Sequence, residues 1–365
     1  MAHVGVIFGG RSVEHQVSIR SARTVAKGLR EAGHQVTPLG IAQDGAWIDR
    51  GTSEAVLAGD VKTIEPLGVP VAPTLQHLIS SGVEVLFPIV HGTWGEDGTL
   101  QGLCEMLDLP YVGPGVTASA LAMDKILSKR QLAAAGVPVV DFEAVNRAQF
   151  EADPQGFLRR LERLPLPLFV KPSVGGSSVG VQRVDDRAAL EEAVRFSLRF
   201  DEAVLVERGV KGRELECAVL GYGEIQASAV GEIVPSQGFY DYADKYLLDS
   251  AGLIAPAELP QAVADRLRRI AVEAFTAVGG AGLARVDFLL EGEDETGLYV
   301  NELNTLPGFT SISMYPRLWE ISGVPLPELV DRLVRIALDR HHDRERLDEG
   351  IKDFLKELSE PSPAD

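Results

Sequence analysis

The chain is short of sulfur, of aromatic residues and of long apolar runs, and each shortage narrows what it can be. Its 365 residues include two cysteines, Cys104 and Cys217, without metal-ligand or redox spacing, which excludes a disulfide framework and points to a reducing compartment. Both read as small buried hydrophobes. Strongly apolar stretches such as 83–90 are strand-sized, far short of the roughly 18–20 residues that span a bilayer. The first residues pass from Val4-Gly5-Val6-Ile7-Phe8 into glycines and charges, with no basic region and apolar core of signal-peptide form. The expected location is therefore cytoplasmic, with no membrane partner. Positive charge is scarce too: 35 Lys and Arg against 53 Asp and Glu give a formal charge of -18, which argues against nucleic acid or an anionic membrane. A bound nucleotide must rely on cations placed one by one.

What remains is an ordinary globular composition, 45% apolar and 24% charged, in a chain long enough for two or three domains. Apolar strands at 4–8, 36–41 and 83–90 alternate with helical stretches, which predicts an α/β sheet over residues 1–117. Turn residues Val112-Gly113-Pro114-Gly115 mark a boundary, and 117–135 has helical composition ending at Gly136. A second unit, 118–211, holds strands at 168–170, 179–184 and 204–207 and a helix at 187–200. A third, 212–341, holds strands at 215–220 and 224–233, a helix at 262–278 and a final hairpin. Residues 342–365 read as a polar tail, with His341 and His342 diverging into solvent.

The densest chemistry lies in that hairpin. Asp287 precedes Val300-Asn301-Glu302-Leu303-Asn304, and Glu302 and Asn304, two apart on an alternating strand, share a face. The intervening 291–297 has hairpin length, so antiparallel pairing would set Asp287 opposite Glu302, and a one-residue slip would undo it. Oxygen donors without His or Cys suit Mg²⁺ rather than zinc, and Mg²⁺ held by few protein groups completes its shell with phosphates and water. Upstream, Lys171-Pro172-Ser173-Val174-Gly175-Gly176-Ser177-Ser178-Val179-Gly180 follows a strand, and its Gly and Ser backbone can cradle phosphate. It is not a Walker A loop, because the Lys precedes the glycines and a strand follows. Gly9-Gly10-Arg11-Ser12-Val13-Glu14 lacks the glycine spacing of a dinucleotide fingerprint, which disfavours an NAD-dependent oxidoreductase. Ser12 there reads as a helix N-cap with Glu14 in the first turn, available to a substrate ammonium. His91-Gly92-Thr93-Trp94-Gly95-Glu96-Asp97-Gly98 leaves a strand at the carboxyl edge of the sheet, where open α/β folds bind ligands. The stretch 236–246, rich in Tyr yet charged, has the mixture of a closing lid.

Taken in order, these motifs resemble the ATP-grasp superfamily and, within it, the D-alanine:D-alanine ligases, over almost the whole chain. The markers are Phe8-Gly9-Gly10-Arg11-Ser12-Val13-Glu14, His91-Gly92 with Gly95-Glu96-Asp97-Gly98, Met123-Asp124-Lys125, Lys171-Pro172 with Gly176-Ser177-Ser178-Val179-Gly180, Tyr240-Asp241-Tyr242 with Lys245-Tyr246, and Asn301-Glu302-Leu303-Asn304 with Pro307-Gly308. Val174-Gly175 and Trp94 depart from the pattern between its functional positions. The resemblance implies a three-domain α/β (in part α+β) ATP-grasp architecture with an N-terminal Rossmann-like parallel-sheet domain. It further implies ATP and two Mg²⁺ ions, or Mn²⁺ in their place, D-alanine as substrate, a role in peptidoglycan precursor synthesis, and a homodimer. By resemblance Asp287, Glu302 and Asn304 hold the metal, Lys125 and Lys171 the upstream phosphates, and Ser178 with the flap backbone covers them. Lys245 reaches the γ-phosphate, Glu214 the ribose, and Glu207 and the Val210 backbone the adenine. Glu14 takes the first ammonium near His91, with Ser177 and Tyr246 completing the closure. Arg285 and the Gly308 N–H resemble the oxyanion site, and Ser313 with the Met314 N–H grips the second carboxylate. A depsipeptide ligase joining D-alanine to D-lactate is the near alternative, which the full-length aromatic lid disfavours. A nucleotide-binding module without chemistry would have no use for Glu14, Arg285 and Ser313.

Overall fold

Residues 4–9 are buried without a break, which sets β1 (His3–Gly9) apart from a strand with one wet face. It lies between β2 (Gln35–Ile41) and β3 (Val85–Pro88) in a parallel sheet of order β2-β1-β3. The computed structural model describes residues 1–59, 64, 78, 80–234 and 252–359, the side chain of 359 excepted. At the edge of β1 a Cβ on Gly9 would stand 2.1 Å from the Ile41 carbonyl oxygen, so only glycine lets the chain turn off the sheet there. The turn through Gly9 and Gly10, both at positive φ, delays the next helix to His15–Glu31. Glu14 holds the N-cap position, and the Ser12 hydroxyl instead accepts the Glu14 N–H at 3.0 Å in a local turn, which corrects the expectation that Ser12 caps the helix.

That helix buries Ile19, Ala22, Val25 and Leu29 in a core completed from the far end of the chain by Leu329, Val330, Leu333 and Val334 of the helix Leu326–Ser359. Burial of each of these Ile, Val and Leu side chains is worth about 1.5–3 kcal/mol. The terminal helix runs on through the stretch read as a polar tail, which stays largely exposed, as its Leu, Glu, Lys and Arg residues carry the helix to Ser359. On it His342 is exposed, whereas His341 is largely covered, its Nε2 3.8 Å from Asp108.

The second sheet is antiparallel, β4 (Phe142–Asn146), β5 (Leu168–Pro172), β6 (Gln182–Val184) and β7 (Ala203–Arg208) in the order β4-β7-β5-β6. The helix expected over 117–135 is two helices, Val116–Met123 and Lys125–Ala134. Asp124 breaks it by staying extended and capping the second with bonds from the Ile126 and Leu127 N–H groups, both 3.0 Å. β6 starts later than expected because Ser177 (φ 53), Ser178 (φ 58) and Gly180 (φ 77) hold a left-handed turn.

The third sheet, also antiparallel, comprises β8 (Gly212–Tyr222), β9 (Glu224–Val234), β10 (Gly252–Ile254), β11 (Gly282–Glu291) and β12 (Leu298–Asn304), in the order β10-β9-β8-β11-β12. The helix Gln261–Ala277 packs Leu267, Ile270, Ala274 and Phe275 against Cys217, Val219, Val286 and Val300. Strand alternation then sends Glu214, Glu216, Arg285 and Asp287 to the other face. Arg208 joins the two antiparallel sheets, pairing with Glu291 at 3.0 Å and lying 5.0 Å over the Tyr299 ring. Cys104 and Cys217 are buried free thiols, each pushed up to about 12 by burial.

Candidate active site

The floor of the site is a matter of register. β11 and β12 pair Asp287 with Glu302 and Arg285 with Asn304, so all of these side chains share a face, and the ladder slips by one residue just beyond, between Asp287 and Phe288. β8 adds Glu216 opposite Asp287 and Glu214 opposite Leu289. Glu216 was missed by the sequence reading, although it stands two residues from Glu214 on the same strand face. The Arg285 guanidinium donates to both Asp287 oxygens, each at 2.7 Å, and its Nε lies 3.2 Å from Glu216. Burial opposes its charge, but Asp287 and Glu216 outweigh that and hold it well above its ordinary value. The Asn304 amide donates to Asp287 at 2.9 Å. Turning that amide over presents its oxygen beside the Asp287 and Glu302 carboxylates, a hard-oxygen set that fits Mg²⁺. Among the described residues no group of three or more His, Cys, Asp or Glu side chains gathers as a metal site.

Over this floor hangs the loop from Lys171 to Gly180. Lys125 Nζ donates to the Gly175 carbonyl at 2.6 Å, and its N–H to the Ser173 carbonyl at 2.8 Å, so the helix start after Asp124 anchors the loop base. Ser177 and Ser178 keep left-handed backbone angles unusual for side chains that are not Gly or Asn, a cost met with at ligand sites. The Ser177 hydroxyl donates to the Glu14 carboxylate, joining the loop to the first sheet. Lys171 lies in an ion triad: one Glu207 oxygen takes Lys171, and the other lies 3.0 Å from Lys129 Nζ, off the hydrogen-bond direction. Burial would raise the Glu207 carboxyl, but the two ammoniums reverse this and hold it at about 2. Burial lowers the Lys129 ammonium despite Glu207, whereas Lys171, also disfavoured by burial, is raised by Glu207. The Glu207 side chain thus supports Lys171. Lys129, four residues after Lys125 on one helical face, was not anticipated.

The third wall is the chain after β12. The Gly308 region leads to Ser313, which starts the helix Met314–Ile321, whose first N–H groups favour an anion. Ser313 Oγ accepts the Thr310 N–H at 3.0 Å. His91 is buried, with Nδ1 2.8 Å from the Leu306 carbonyl oxygen and Nε2 3.1 Å from Ser21 Oγ; burial lowers its affinity for a second proton. Trp94, at φ 72 and half exposed, carries Arg11 5.1 Å above its ring.

Two cavities result. One, of about 400 Å³, runs between the antiparallel sheets and is lined by Lys171, Ser178, Glu207, Val210, Glu214 and Asp287, with Lys211 and Phe169 as further walls. The other, of about 330 Å³, is lined by Glu14, His91, Asn304, Gly308, Ser313 and Met314. Lys125, Ser177, Glu216, Arg285 and Glu302 belong to both. Lys245 and Tyr246 lie outside the described residues.

Two antiparallel sheets closing on a cavity, with a glycine-rich loop above and a carboxylate hairpin below, define an ATP-grasp enzyme. The profiles described as D-ala D-ala ligase N-terminus and D-ala D-ala ligase C-terminus match residues 3–114 and 131–335. The D-alanine–D-alanine ligase of Solibacter usitatus is 45% identical over 94% of this chain and 97% of its own length. D-alanine–D-alanine ligase A of Salmonella typhimurium is 42% identical over 93% and 96%. Among solved structures, the D-alanine-D-alanine ligase from Coxiella burnetii superposes with a TM-score of 0.78 at 35% identity, covering 96% of this chain and 99% of that one. The VanG D-Ala:D-Ser ligase from Enterococcus faecalis gives 0.80 at 34%, covering 92% and 99%. The chain belongs to the D-alanine–D-alanine ligase family.

Proposed function

We propose that this protein joins two D-alanines into D-alanyl-D-alanine, driven by ATP through an acyl phosphate, for peptidoglycan precursor synthesis. Family membership implies ATP and a divalent cation. The observation that carries the reading is the wall of Lys125, Ser177, Glu216, Arg285 and Glu302 common to both cavities, because phosphoryl transfer needs the γ-phosphate and the accepting carboxylate in contact. A carboxylate oxygen of the first D-alanine attacks the γ-phosphorus and ADP leaves. The second D-alanine's amine, having shed a proton, attacks the acyl carbon, and orthophosphate departs with that oxygen.

In this reading Glu14 holds the first ammonium, and Ser177 orients Glu14. Lys125 and Lys171 take the upstream phosphates beneath Ser178, Val210 and Glu207 border the adenine, and Glu214 meets the ribose. Asp287, Glu302 and Asn304 would hold two Mg²⁺ ions, which would supply charge compensation for the transferred phosphoryl group. Arg285 and the Gly308 N–H receive the charge on the tetrahedral oxygen, and one such donor is worth about 2.7–4 kcal/mol of barrier. Ser313 and the Met314 N–H receive the second carboxylate, while Lys245 and Tyr246 close the site. A cytoplasmic homodimer completes the proposal; among the described residues no helix is long and apolar enough to cross a membrane.

The test is isotopic. D-Alanine labelled with heavy oxygen in its carboxyl group must pass one label to liberated orthophosphate, and unlabelled orthophosphate would sink the acyl phosphate. An amino-acid screen read by ADP release and product mass identifies the second substrate.

A further inference from the structure

We propose that Ser21, His91 and Glu96 form a clamp on the backbone of residues 306–309 that aims the Gly308 N–H at the reacting carboxyl group, making Ser21 and Glu96 positioning residues. The assignment rests on the ligase reading above. The Glu96 carboxylate accepts the Leu306 N–H at 2.8 Å on one oxygen and the Gly92 N–H at 2.7 Å on the other. His91 Nδ1 lies 2.8 Å from the Leu306 carbonyl oxygen. A carbonyl only accepts, so Nδ1 carries the proton and Nε2 accepts from the Ser21 hydroxyl, 3.1 Å away. That hydroxyl in turn accepts the Phe309 N–H at 3.0 Å.

Both polar ends of Leu306 and the N–H of Phe309 are thereby fixed from the N-terminal unit, and Gly308 sits between them. Ser21 is fully buried and His91 is 2% exposed, so the bonds these two make are shielded from water, while Glu96 reaches Leu306 from the cavity wall. With both nitrogens engaged inside the protein, the imidazole acts as a spacer of fixed tautomer and has no lone pair left for a substrate. Coupling a loop of the N-terminal sheet to the end of β12 also makes the oxyanion donor depend on how the first unit sits against the third. An oxyanion donor is useful only when oriented before the charge develops, which is what three bonds around one glycine achieve.

The experiment compares Ser21→Ala, Glu96→Gln and Glu96→Ala in the full chain by steady-state kinetics and by hydrogen exchange of the peptide covering 306–309 without substrates. Loss of one orienting bond is expected to lower kcat about tenfold while KM for ATP stays within about twofold. Glu96→Gln keeps one acceptor and should fall between wild type and Glu96→Ala. The Ser21→Ala/Glu96→Gln double variant should lose less than the product of the single losses, since both loosen one loop. Exchange at 306–309 should quicken in every variant and stay unchanged in the helix Gln261–Ala277. Wild-type kcat in Ser21→Ala, or unaltered exchange at 306–309, overturns the clamp. A wild-type enzyme that forms no ligation product refutes the functional reading instead, and the exchange result stands apart from it.

Discussion

Neutralising Glu207 should damage this protein more than removing Lys129, although both changes break the same ion pair. Glu207 is 2% exposed, and its carboxyl is held at about 2 against an ordinary 4.5, a gap of about 3 kcal/mol in favour of the ionised, paired form. Glu207→Gln strips the counter-charge from two buried ammoniums at once, and breaking a buried pair in this way costs about 3–5 kcal/mol. Lys129→Met leaves the Lys171 pair intact and fills the space with an apolar chain, at a cost of about 1 kcal/mol or less. The double variant, with a single buried cation left, should recover part of the Glu207→Gln loss. The sign with pH follows from the depressed carboxyl: its contribution is fully present above about pH 4.5 and disappears as pH falls toward 2. The difference between wild type and Glu207→Gln should therefore be constant from about pH 8 to 5 and shrink below about 4.5. Urea unfolding followed by far-ultraviolet circular dichroism, at about pH 8, 7, 5 and 4, reads all of these. A Lys129→Met penalty equal to that of Glu207→Gln, or strict additivity in the double variant, would refute the triad as the organising contact.

Other outcomes follow from single contacts. Glu302→Gln, which removes one charge from the proposed metal set, should lower turnover at least about a hundredfold with unchanged circular dichroism; near-normal rates at saturating Mg²⁺ would remove Glu302 from the ligands. In Gly308→Ala the new methyl would stand 2.7 Å from Ser313 Oγ, so KM for the second amino acid should rise while that for ATP holds; equal changes in both would contradict the placement of Ser313. Arg340 lies 4.4 Å over the Tyr111 ring and donates to the Tyr111 carbonyl at 3.1 Å. Arg340→Leu should cost about 1–3 kcal/mol in urea unfolding, and no change would show that the terminal helix is held by its apolar face alone.

Much of the site was legible because it is written in local period and local chemistry. Alternation alone put Glu302 and Asn304 on one face, hairpin length put Asp287 opposite Glu302, and the observed register agrees. The glycine-rich loop was visible as composition, and the strand-edge loops after β1 and β3 as apolar runs ending in Gly and charge. Helix punctuation was less legible. Ser12 and Asp124 are both residues that cap, and only the left-handed turn at Gly9-Gly10 and the pairing of Asp124 with Val174 decided which one does.

The amino-acid order by itself determined the strand faces, the glycine-rich loop, the carboxylate and amide side chains of the hairpin and, through their joint spacing, the family. Only the tertiary structure decided that Glu207 serves two lysines, that Glu216 joins Arg285, and that Ser21, His91 and Glu96 reach residues 306–309. These contacts join positions from about 70 to nearly 290 residues apart, or strands set side by side by the sheet. The reason is physical: period and turn chemistry act over a few residues, whereas a buried polar group must take whichever partner the packed core brings within hydrogen-bond reach.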